Sequence, residues 1–174
     1  MRRKIILNLA MSIDGYIASE DGGYDWIVGD GDNKLDTKDK WDYTEFLKGI
    51  DIVVMGRKCY DQNFHNDFKE KKIYVATSKE LDDYDNIHFI KGDICKVVEK
   101  EREKEGKDIF LFGGGELVDN FIKKDIIDEY IIGIIPTILG KGRPLFLGNN
   151  PKIDLHLEQY NMENGTVILK YSRK

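Results

Sequence analysis

The sequence has few of the residues that mark several classes of protein. Its 174 residues include two cysteines, Cys59 and Cys95, too few for the disulfide framework of a small secreted domain. It has three prolines and no Pro/Gly/Ser-rich tract that would indicate a linker between domains. No apolar run approaches the roughly 20 residues that a membrane span needs. These absences predict one domain over residues 1–174.

A strongly basic stretch is also missing. The net charge is −5, with 27 basic and 32 acidic residues. Nucleic-acid-binding domains and membrane-surface helices carry basic patches, so we expect neither a nucleic-acid nor a membrane partner. The apolar start is interrupted by Asn8 and followed by Asp14 without a small-residue cleavage site. It predicts a buried first strand in a cytoplasmic protein rather than a signal peptide.

Short apolar runs alternate with helical patterns along most of the chain. Strands are predicted at 4–11, 51–55, 73–77, 87–90, 109–112 and 128–135. Helices are predicted at 39–48, after 57, at 94–105 and at 116–124, the third with a solvated, charge-paired surface. The tail, 153–160 and 166–172, alternates around Asn164-Gly165 as a β-hairpin does. The pattern predicts an α/β fold with a mixed sheet.

Two junctions between a strand and a helix have features of phosphate sites. Gly56 and Arg57 follow an apolar run and open a helix, which would place free N–H groups near a guanidinium. The glycines at 113–115 separate another apolar run from a helix, as where a backbone closely approaches a ligand. Their spacing matches neither the dinucleotide fingerprint nor a Walker loop. A tight turn with a surface arginine, and a connection without a ligand, stay open as simpler interpretations.

A third junction, at residues 76–79, offers two hydroxyl groups and a cation at a strand end. These groups suit a ribose or a phosphate, but they would also suit a helix N-cap. No cluster of histidines and cysteines has the spacing of metal ligands, so we expect no metal.

The three junctions occur in an order that resembles the dihydrofolate-reductase-like superfamily. The chain is most similar to stand-alone relatives of the riboflavin-biosynthesis reductase C-terminal domain. The matching motifs are 9–18 (LAMSIDGYIA), Trp26-Ile27, 51–60 (DIVVMGRKCY), 75–79, 112–117 (FGGGEL) and 135–142 with Phe146. The resemblance implies a single-domain, three-layer fold around a central mixed, mostly parallel sheet with a C-terminal β-hairpin.

The resemblance also implies an NADPH site spread over these motifs. The residues expected to line the nicotinamide are Ala10, Asp14, Gly15 and Ile17. Those expected at the phosphates and the adenine are Gly56, Arg57, Lys58, Ser78, Lys79 and Lys91. Those expected around the pyrophosphate are Gly113, Gly114, Gly115, Glu116 and Leu117. The superfamily often has a cis bond in this motif, so we expect one between Gly113 and Gly114.

On the substrate side the resemblance is looser. Asp42 precedes Phe46 by four residues, the spacing of the acidic residue that anchors the pterin in dihydrofolate reductases. Asp42, Asp14 or water could supply the proton, and Asp42 as a solvated helical carboxylate stays open. Three other folate-contacting positions correspond to Val118, Ile132 and Lys72, which disfavours dihydrofolate.

The family substrate of the riboflavin-biosynthesis reductases carries a ribosyl phosphate, which those enzymes bind with arginines before and along the first helix. Between Arg3 and Arg57 this chain has no arginine. Lysines 34, 38, 40 and 48 are poorer bidentate partners for a phosphate. The resemblance suggests this substrate, while the residues do not support it.

The resulting hypothesis is an NADPH-dependent reductase that transfers a hydride to a pyrimidine, a pterin or a related small heterocycle. A reductase for 5-amino-6-(5-phosphoribosylamino)uracil is one form of it. A non-enzymatic NADPH-binding domain and a true dihydrofolate reductase are the alternatives. Residues 21–33 are expected to form a lid over the substrate. A homodimer is expected, with Ile131, Ile134, Ile138 and the hairpin as its surface.

Overall fold

The computed structural model describes residues 2–174 as alternating strands and helices. The first half contains β1 (Ile5–Ser12), β2 (Tyr16–Ala18), α1 (Tyr43–Lys48), β3 (Ile50–Gly56), α2 (Arg57–Asp61), a 3₁₀ helix (Phe64–Phe68), β4 (Lys72–Thr77) and β5 (Ile87–Lys91). The second half contains α3 (Ile94–Arg102), β6 (Asp108–Gly113), α4 (Gly115–Lys123), β7 (Glu129–Ile135), β8 (Arg143–Pro144), β9 (Leu155–Glu163) and β10 (Thr166–Arg173).

Eight strands form one sheet in the order β5-β4-β3-β6-β1-β7-β10-β9. The first six are parallel to one another, and β10 and β9 add an antiparallel hairpin beside β7. Strands β2 and β8 form a separate ribbon. The predicted fold is confirmed: one α/β domain with a mixed, mostly parallel sheet that ends in a C-terminal hairpin.

The central strands of the sheet are buried on both sides, which explains their continuous apolar sequences. Along β3, the Val54 side chain packs with α3 and α4 on one side, and those of Val53 and Met55 pack with α1 and α2 on the other. Phe110 at the centre of β6 is 1% exposed and contacts Phe46 of α1 edge-on, with 5.1 Å between ring centroids. The central strands therefore form a rigid base, from whose ends the connecting loops project.

The predicted helix boundaries at 39–48 and 94–105 need correction, because α1 spans Tyr43–Lys48 and α3 ends at Arg102. Helix α1 begins only at Tyr43, because the Asp42 carboxylate caps it by accepting a hydrogen bond from the Glu45 N–H at 2.9 Å. The predicted solvated surface of α3 is wrong at its last turn. Glu101 and Arg102 are buried there, and Arg102 forms an ion pair with Asp128. Arg102 is thus paired with a residue distant in the chain, whereas Glu101 accepts hydrogen bonds from both Lys104 on the same turn and the distant Tyr74 hydroxyl.

The predicted dimer surface also changes. Ile131 is only 1% exposed and belongs to the core between the sheet and α1, so it cannot contact a partner. Ile134 is partly buried and pairs with Val167 of the hairpin, whereas Ile138 is 72% exposed. None of the helices in residues 2–174 is long and apolar enough to cross a membrane.

Candidate functional site

A cleft of about 1330 Å³ crosses the carboxyl-terminal edge of the parallel strands. Open α/β sheets bind ligands at this edge. Its lining divides by position in the sheet into two halves. The glycine half lies at the ends of β3, β4 and β6, with Gly56, Arg57, Lys58, Ser78 and 113–117. The aromatic half lies over β1, β6, β7 and β10, with Asn8, Tyr24, Trp41, Tyr43, Phe64, Phe110, Phe112, Glu163, Thr166 and Ile168.

The glycine half brings two separate turns together. A Cβ on Gly56 would lie 3.6 Å from the Gly114 backbone nitrogen, an ordinary contact distance, so the two turns pack against each other. Gly113 and Gly114 have no atom within 4 Å of their Cβ positions, and Gly113 has a φ of +132°. The peptide bond between them is cis, as predicted. The N-terminal turn of α4 thus faces open space in the cleft.

Arg57 projects into the same space with a free donor. Its Nε donates a hydrogen bond to Asp61 Oδ1 at 2.7 Å, and its guanidinium carbon lies 5.8 Å from the centre of the Tyr60 ring. Its Nη1 is buried and has no hydrogen-bond partner within residues 2–174. Buried guanidinium donors are almost always paired, so Arg57 is a candidate donor to an anion that binds beside α2.

Other predicted cofactor residues differ in their position. Ala10, Ile17, Ser78, Glu116 and Leu117 line the cleft. Four of the predicted residues do not: Asp14, Gly15, Lys79 and Lys91. Lys91 lies 3.5 Å from the carboxylate of Glu80 on the surface. The parallel pairing of Gly56 with Ala76 places Arg57 near Ser78, which keeps the two predicted phosphate contacts together.

Asp14 fixes a loop rather than lining the cleft. Its carboxylate accepts hydrogen bonds from the Ser12 hydroxyl at 2.6 Å, the Gly140 N–H at 2.8 Å and the Leu139 N–H at 3.1 Å. These bonds, the one from Ser12 first, lower the pKa of Asp14. Asp14 therefore ties the turn after β1 to the loop after β7. The second predicted proton donor, Asp42, also lies outside the cleft lining.

The aromatic half is a cluster of rings that pack against each other. Phe64 lies 5.3 Å from Phe112 and 5.3 Å from Tyr24, measured between ring centroids. Tyr43 meets Phe110 edge-on at 6.5 Å. Burial of its hydroxyl raises the pKa of Tyr43 to about 12, so the group stays neutral at ordinary pH. The rings meet at tilted and edge-on angles and give this half a largely apolar surface against which a planar ring can pack.

Asn8 is a site residue that the sequence reasoning did not identify as one. It lies on β1 on the same side of the strand as Ile6 and Ala10, and it lines the cleft. Its Nδ2 is buried without a hydrogen-bond partner in the part of the chain that the structure describes. The signal was present, since Asn8 is the polar residue that interrupts the first apolar run. That run alone does not reveal on which side of the sheet a cavity lies.

The loop before α1 forms one wall of the aromatic half. It contributes Gly22, Tyr24, Ile27, Val28 and Gly29 to the lining, in agreement with the expected position of a lid at 21–33. The hairpin turn holds the loop, as the bonds from Asp30 N–H to Asn164 O at 2.8 Å and from Asn164 N–H to Asp36 Oδ1 at 2.8 Å show. The C-terminal hairpin therefore fixes the entrance to the aromatic half.

Arg143 is a second cleft residue that sequence reasoning did not single out. Strand β8 carries it opposite Ala18 of β2. A Cβ on Gly22 would meet the Arg143 guanidinium at 2.8 Å and the Gln62 amide at 3.1 Å, so all three groups are close together. Arg143 thus joins the ribbon of β2 and β8 to the region of α2.

Sequence comparison places this site in a family. A family model for the RibD C-terminal domain matches residues 3–168. Two proteins of Bacillus subtilis (strain 168), both described as uncharacterized, are similar over nearly their full lengths. YwjB is 37% identical, with 99% of each chain covered, and YyaP is 33% identical, with 98% of this chain and 95% of YyaP covered.

Solved structures are similar as well. A putative riboflavin biosynthesis protein from Shewanella sp. PV-4 is 27% identical with a TM-score of 0.80, and 100% of this chain and 99% of that chain are covered. A deaminase/5-amino-6-(5-phosphoribosylamino)uracil reductase from Thermotoga maritima has a TM-score of 0.71. At 14% identity, with 99% of this chain and 57% of that chain covered, it shows the fold alone. From the match over residues 3–168 and the two Bacillus relatives, the chain belongs to the RibD C-terminal domain family.

Proposed function

We propose that this protein is an NADPH-dependent reductase that transfers a hydride to a small planar heterocycle. One observation carries the proposal: a glycine half that contains a helix N-terminus and Arg57 joins an aromatic half in one cleft. A cofactor that is charged at one end and carries a reactive ring at the other can reach both halves. Membership of a family named for a riboflavin-pathway protein supports a reductase-type activity.

The residues of the glycine half fit the phosphates of a dinucleotide. The open positions at Gly113 and Gly114 leave room for a pyrophosphate against the start of α4, where backbone N–H groups favour an anion. The free Nη1 of Arg57, with Ser78 on the next strand, would hold the 2′-phosphate that distinguishes NADPH from NADH. The Arg57 Nη1 has no other partner within residues 2–174, and Ser78 lines the cleft.

Where the halves meet, the base of the cleft consists of small residues. Ala10 pairs with Gly133 across β1 and β7, and both line the cleft. A Cβ on Gly133 would lie 3.8 Å or more from its neighbours, so the backbone leaves a flat surface for a ring. When bound, the nicotinamide supplies a hydride to an electron-poor carbon of the substrate. The chain contributes orientation and exclusion of water, the usual role of a protein around such a cofactor.

The source of the proton follows from where the carboxylates lie. Asp14 and Asp42 are engaged as a loop tie and a helix cap, and neither lines the cleft. Tyr43 has a raised pKa, which makes it a poor acid. Glu163 is the carboxylate of the aromatic half, at the hairpin end. We therefore propose that water entering the cleft protonates the reduced substrate.

Calorimetric titration with NADPH, followed by NADPH oxidation at 340 nm, tests the proposal. We expect one NADPH per chain and oxidation only when a heterocycle is added, with pyrimidines and pterins as the panel. Lys79→Ala is the matched control, since Lys79 lies outside the cleft lining. Binding without turnover on any substrate would identify a non-enzymatic NADPH-binding domain. Absence of binding would refute the proposed cofactor site.

A further inference from the structure

Arg143 is an arginine of the cleft whose positive charge is not neutralised by the fold. The chain has six arginines, and five of them form ion pairs. These pairs are Arg2–Glu103, Arg3–Asp51, Arg57–Asp61, Arg102–Asp128 and Arg173–Asp125. Arg143 has no carboxylate partner within residues 2–174, although it is half-buried and lines the cleft. A guanidinium group in this situation is suited to bind an anion that enters the cleft.

The backbone on both sides of Arg143 is held in place. Strand β8 pairs Arg143 with Ala18 of β2. The next residue but one, Leu145, is fully buried, and its N–H donates a hydrogen bond to the Gly15 carbonyl at 2.9 Å. The loop before β8 is tied to the turn after β1 by the carboxylate of Asp14. The ribbon therefore presents the guanidinium from a fixed base, which reduces the entropy lost when a ligand binds.

The guanidinium lies between the lid loop and the end of α2. Its Nη1 and Cζ atoms are 2.8 and 3.2 Å from the position that a Cβ on Gly22 would occupy. The Gln62 side chain is beside them, and its Nε2 donates a hydrogen bond to the Gly22 carbonyl at 3.0 Å. The same loop places the Tyr24 ring 5.3 Å from that of Phe64 in the aromatic half. The positive charge therefore lies at an edge of the aromatic half, within reach of a substituent on a bound ring.

This position differs from the one proposed for the 2′-phosphate of the cofactor. Arg57 is the first residue of α2, whereas Gln62 follows the last one. A rise of 1.5 Å per residue separates the two ends of the helix by about 7.5 Å along its axis. Arg57 and Arg143 are thus suited to two different anionic groups.

The charges in the aromatic half favour a ligand with a single negative charge. Arg143 contributes one positive charge, and the other charged side chain in the lining of this half is Glu163. A phosphate monoester carries about two negative charges at neutral pH, so one would remain uncompensated in the same half as Glu163. A carboxylate is neutralised by one guanidinium and accepts its two parallel N–H bonds.

We propose that Arg143 is a specificity-determining residue for the substrate, and that it binds a carboxylate carried by a planar heterocycle. The inference rests on the proposed reductase function and names the substrate class. The carboxylate orients the ring against the aromatic half and takes no part in the hydride transfer. This substrate class differs from the phosphoribosyl compound in the name of the Thermotoga protein.

Three fluorescent probes with the same ring test the charge argument. Fluorescence anisotropy would follow pterin-6-carboxylate, neutral 6-hydroxymethylpterin and the phosphate monoester of the latter as they bind to wild-type protein saturated with NADP⁺. We expect the carboxylate to bind at least tenfold more tightly than the neutral probe, and also more tightly than the phosphate ester. This comparison uses wild-type protein alone, so it does not depend on the folding of a variant.

Arg143→Gln tests the residue, because it removes the charge and keeps a polar side chain. We expect it to weaken binding of the carboxylate probe at least tenfold, while the affinities for the neutral probe and for NADP⁺ stay within twofold. Lys141→Gln is the matched control. Lys141 is two residues away, is paired with Glu20 on the surface at 3.0 Å and lies outside the cleft lining. Its replacement removes the same charge and should leave all these affinities within twofold.

The outcomes separate this inference from the proposed function. If NADP⁺ binds but the carboxylate probe binds no more tightly than the neutral one, or no probe binds, the substrate class is wrong and the cofactor site stands. Tighter binding of the phosphate ester than of the carboxylate would also refute the substrate class. If Arg143→Gln weakens NADP⁺ binding as much as probe binding, Arg143 contacts the cofactor and the inference is wrong. If wild-type protein does not bind NADP⁺, the proposed function fails, and the substrate inference fails with it.

Discussion

Replacement of Arg57 by alanine should weaken NADPH binding much more than NADH binding. The structure gives the size of the effect, because the Arg57 Nε is occupied by Asp61 and one buried nitrogen, Nη1, is free. One charge-assisted hydrogen bond contributes about 1.5–3 kcal/mol. At 1.4 kcal/mol per factor of ten, its loss corresponds to an affinity decrease of about ten- to hundredfold. NADH has no 2′-phosphate and should lose much less.

Titration calorimetry with both cofactors, at low and at high salt, measures this difference. Lys58→Ala is the control on the same helix, since Lys58 is exposed and lies 3.8 Å from Glu116. An ion pair made by an exposed lysine contributes about 0–1 kcal/mol, so Lys58→Ala should lower the NADPH affinity less than Arg57→Ala does. An equal loss for NADPH and NADH would show that Arg57 binds the shared pyrophosphate. An unchanged affinity for both would refute its role as an anion ligand.

Three further substitutions test the fold around the site. Arg102→Ala should lower the free energy of unfolding by about 3–5 kcal/mol in urea denaturation, because it removes the ion-pair partner of the partly buried Asp128. Arg2→Ala, which removes a surface pair, should lower it by about 0–1 kcal/mol. Similar values for the two variants would contradict the burial argument. Burial opposes ionisation of Glu129, but hydrogen bonds from Lys4 and Lys170 outweigh it and lower the pKa of Glu129. The ion pairs of Glu129 therefore stabilise the protein fully above the ordinary Glu pKa. This stabilisation is lost as the pH falls through the lowered pKa. Glu129→Gln should therefore make stability less dependent on pH between about 5 and 3, a range given by ordinary carboxyl pKa values, and an unchanged acid profile would exclude this pair as a contributor. Gly29→Ala would place a Cβ 2.0 Å from the Asn164 carbonyl oxygen, so it should displace the loop and weaken heterocycle binding while NADPH affinity stays constant; equal loss of both would place the loop over the cofactor instead.

The alternation of strands and helices could be predicted because it depends on local pattern. Runs such as 52–55 and 109–112 are apolar at every position, which suits strands that are covered on both sides. The glycines at 113–115 and the Gly56-Arg57 turn mark the ends of such strands, where an open sheet binds its ligands. The hairpin around Asn164-Gly165 follows from turn chemistry and alternation.

The roles of individual charged side chains could not be predicted, because their partners are distant in the chain. Arg102 looks like one more charge on a polar helix, and only the fold brings Asp128, 26 residues away, to it. Asp14 matches a cofactor motif, yet its partners Leu139 and Gly140 come from a loop more than 120 residues later.

The sequence by itself determined the fold class, the family and the glycine half of the cleft, because these depend on hydrophobic periodicity and on short motifs within single turns. The tertiary structure alone decided the aromatic half. Its walls come from β1, α1, β6, β10 and the loop at 22–29, which are far apart in the chain. Whether Asn8 is a defect in a strand or a donor in a cleft depends on which elements pack against it. That choice is made by long-range packing, which no local pattern contains.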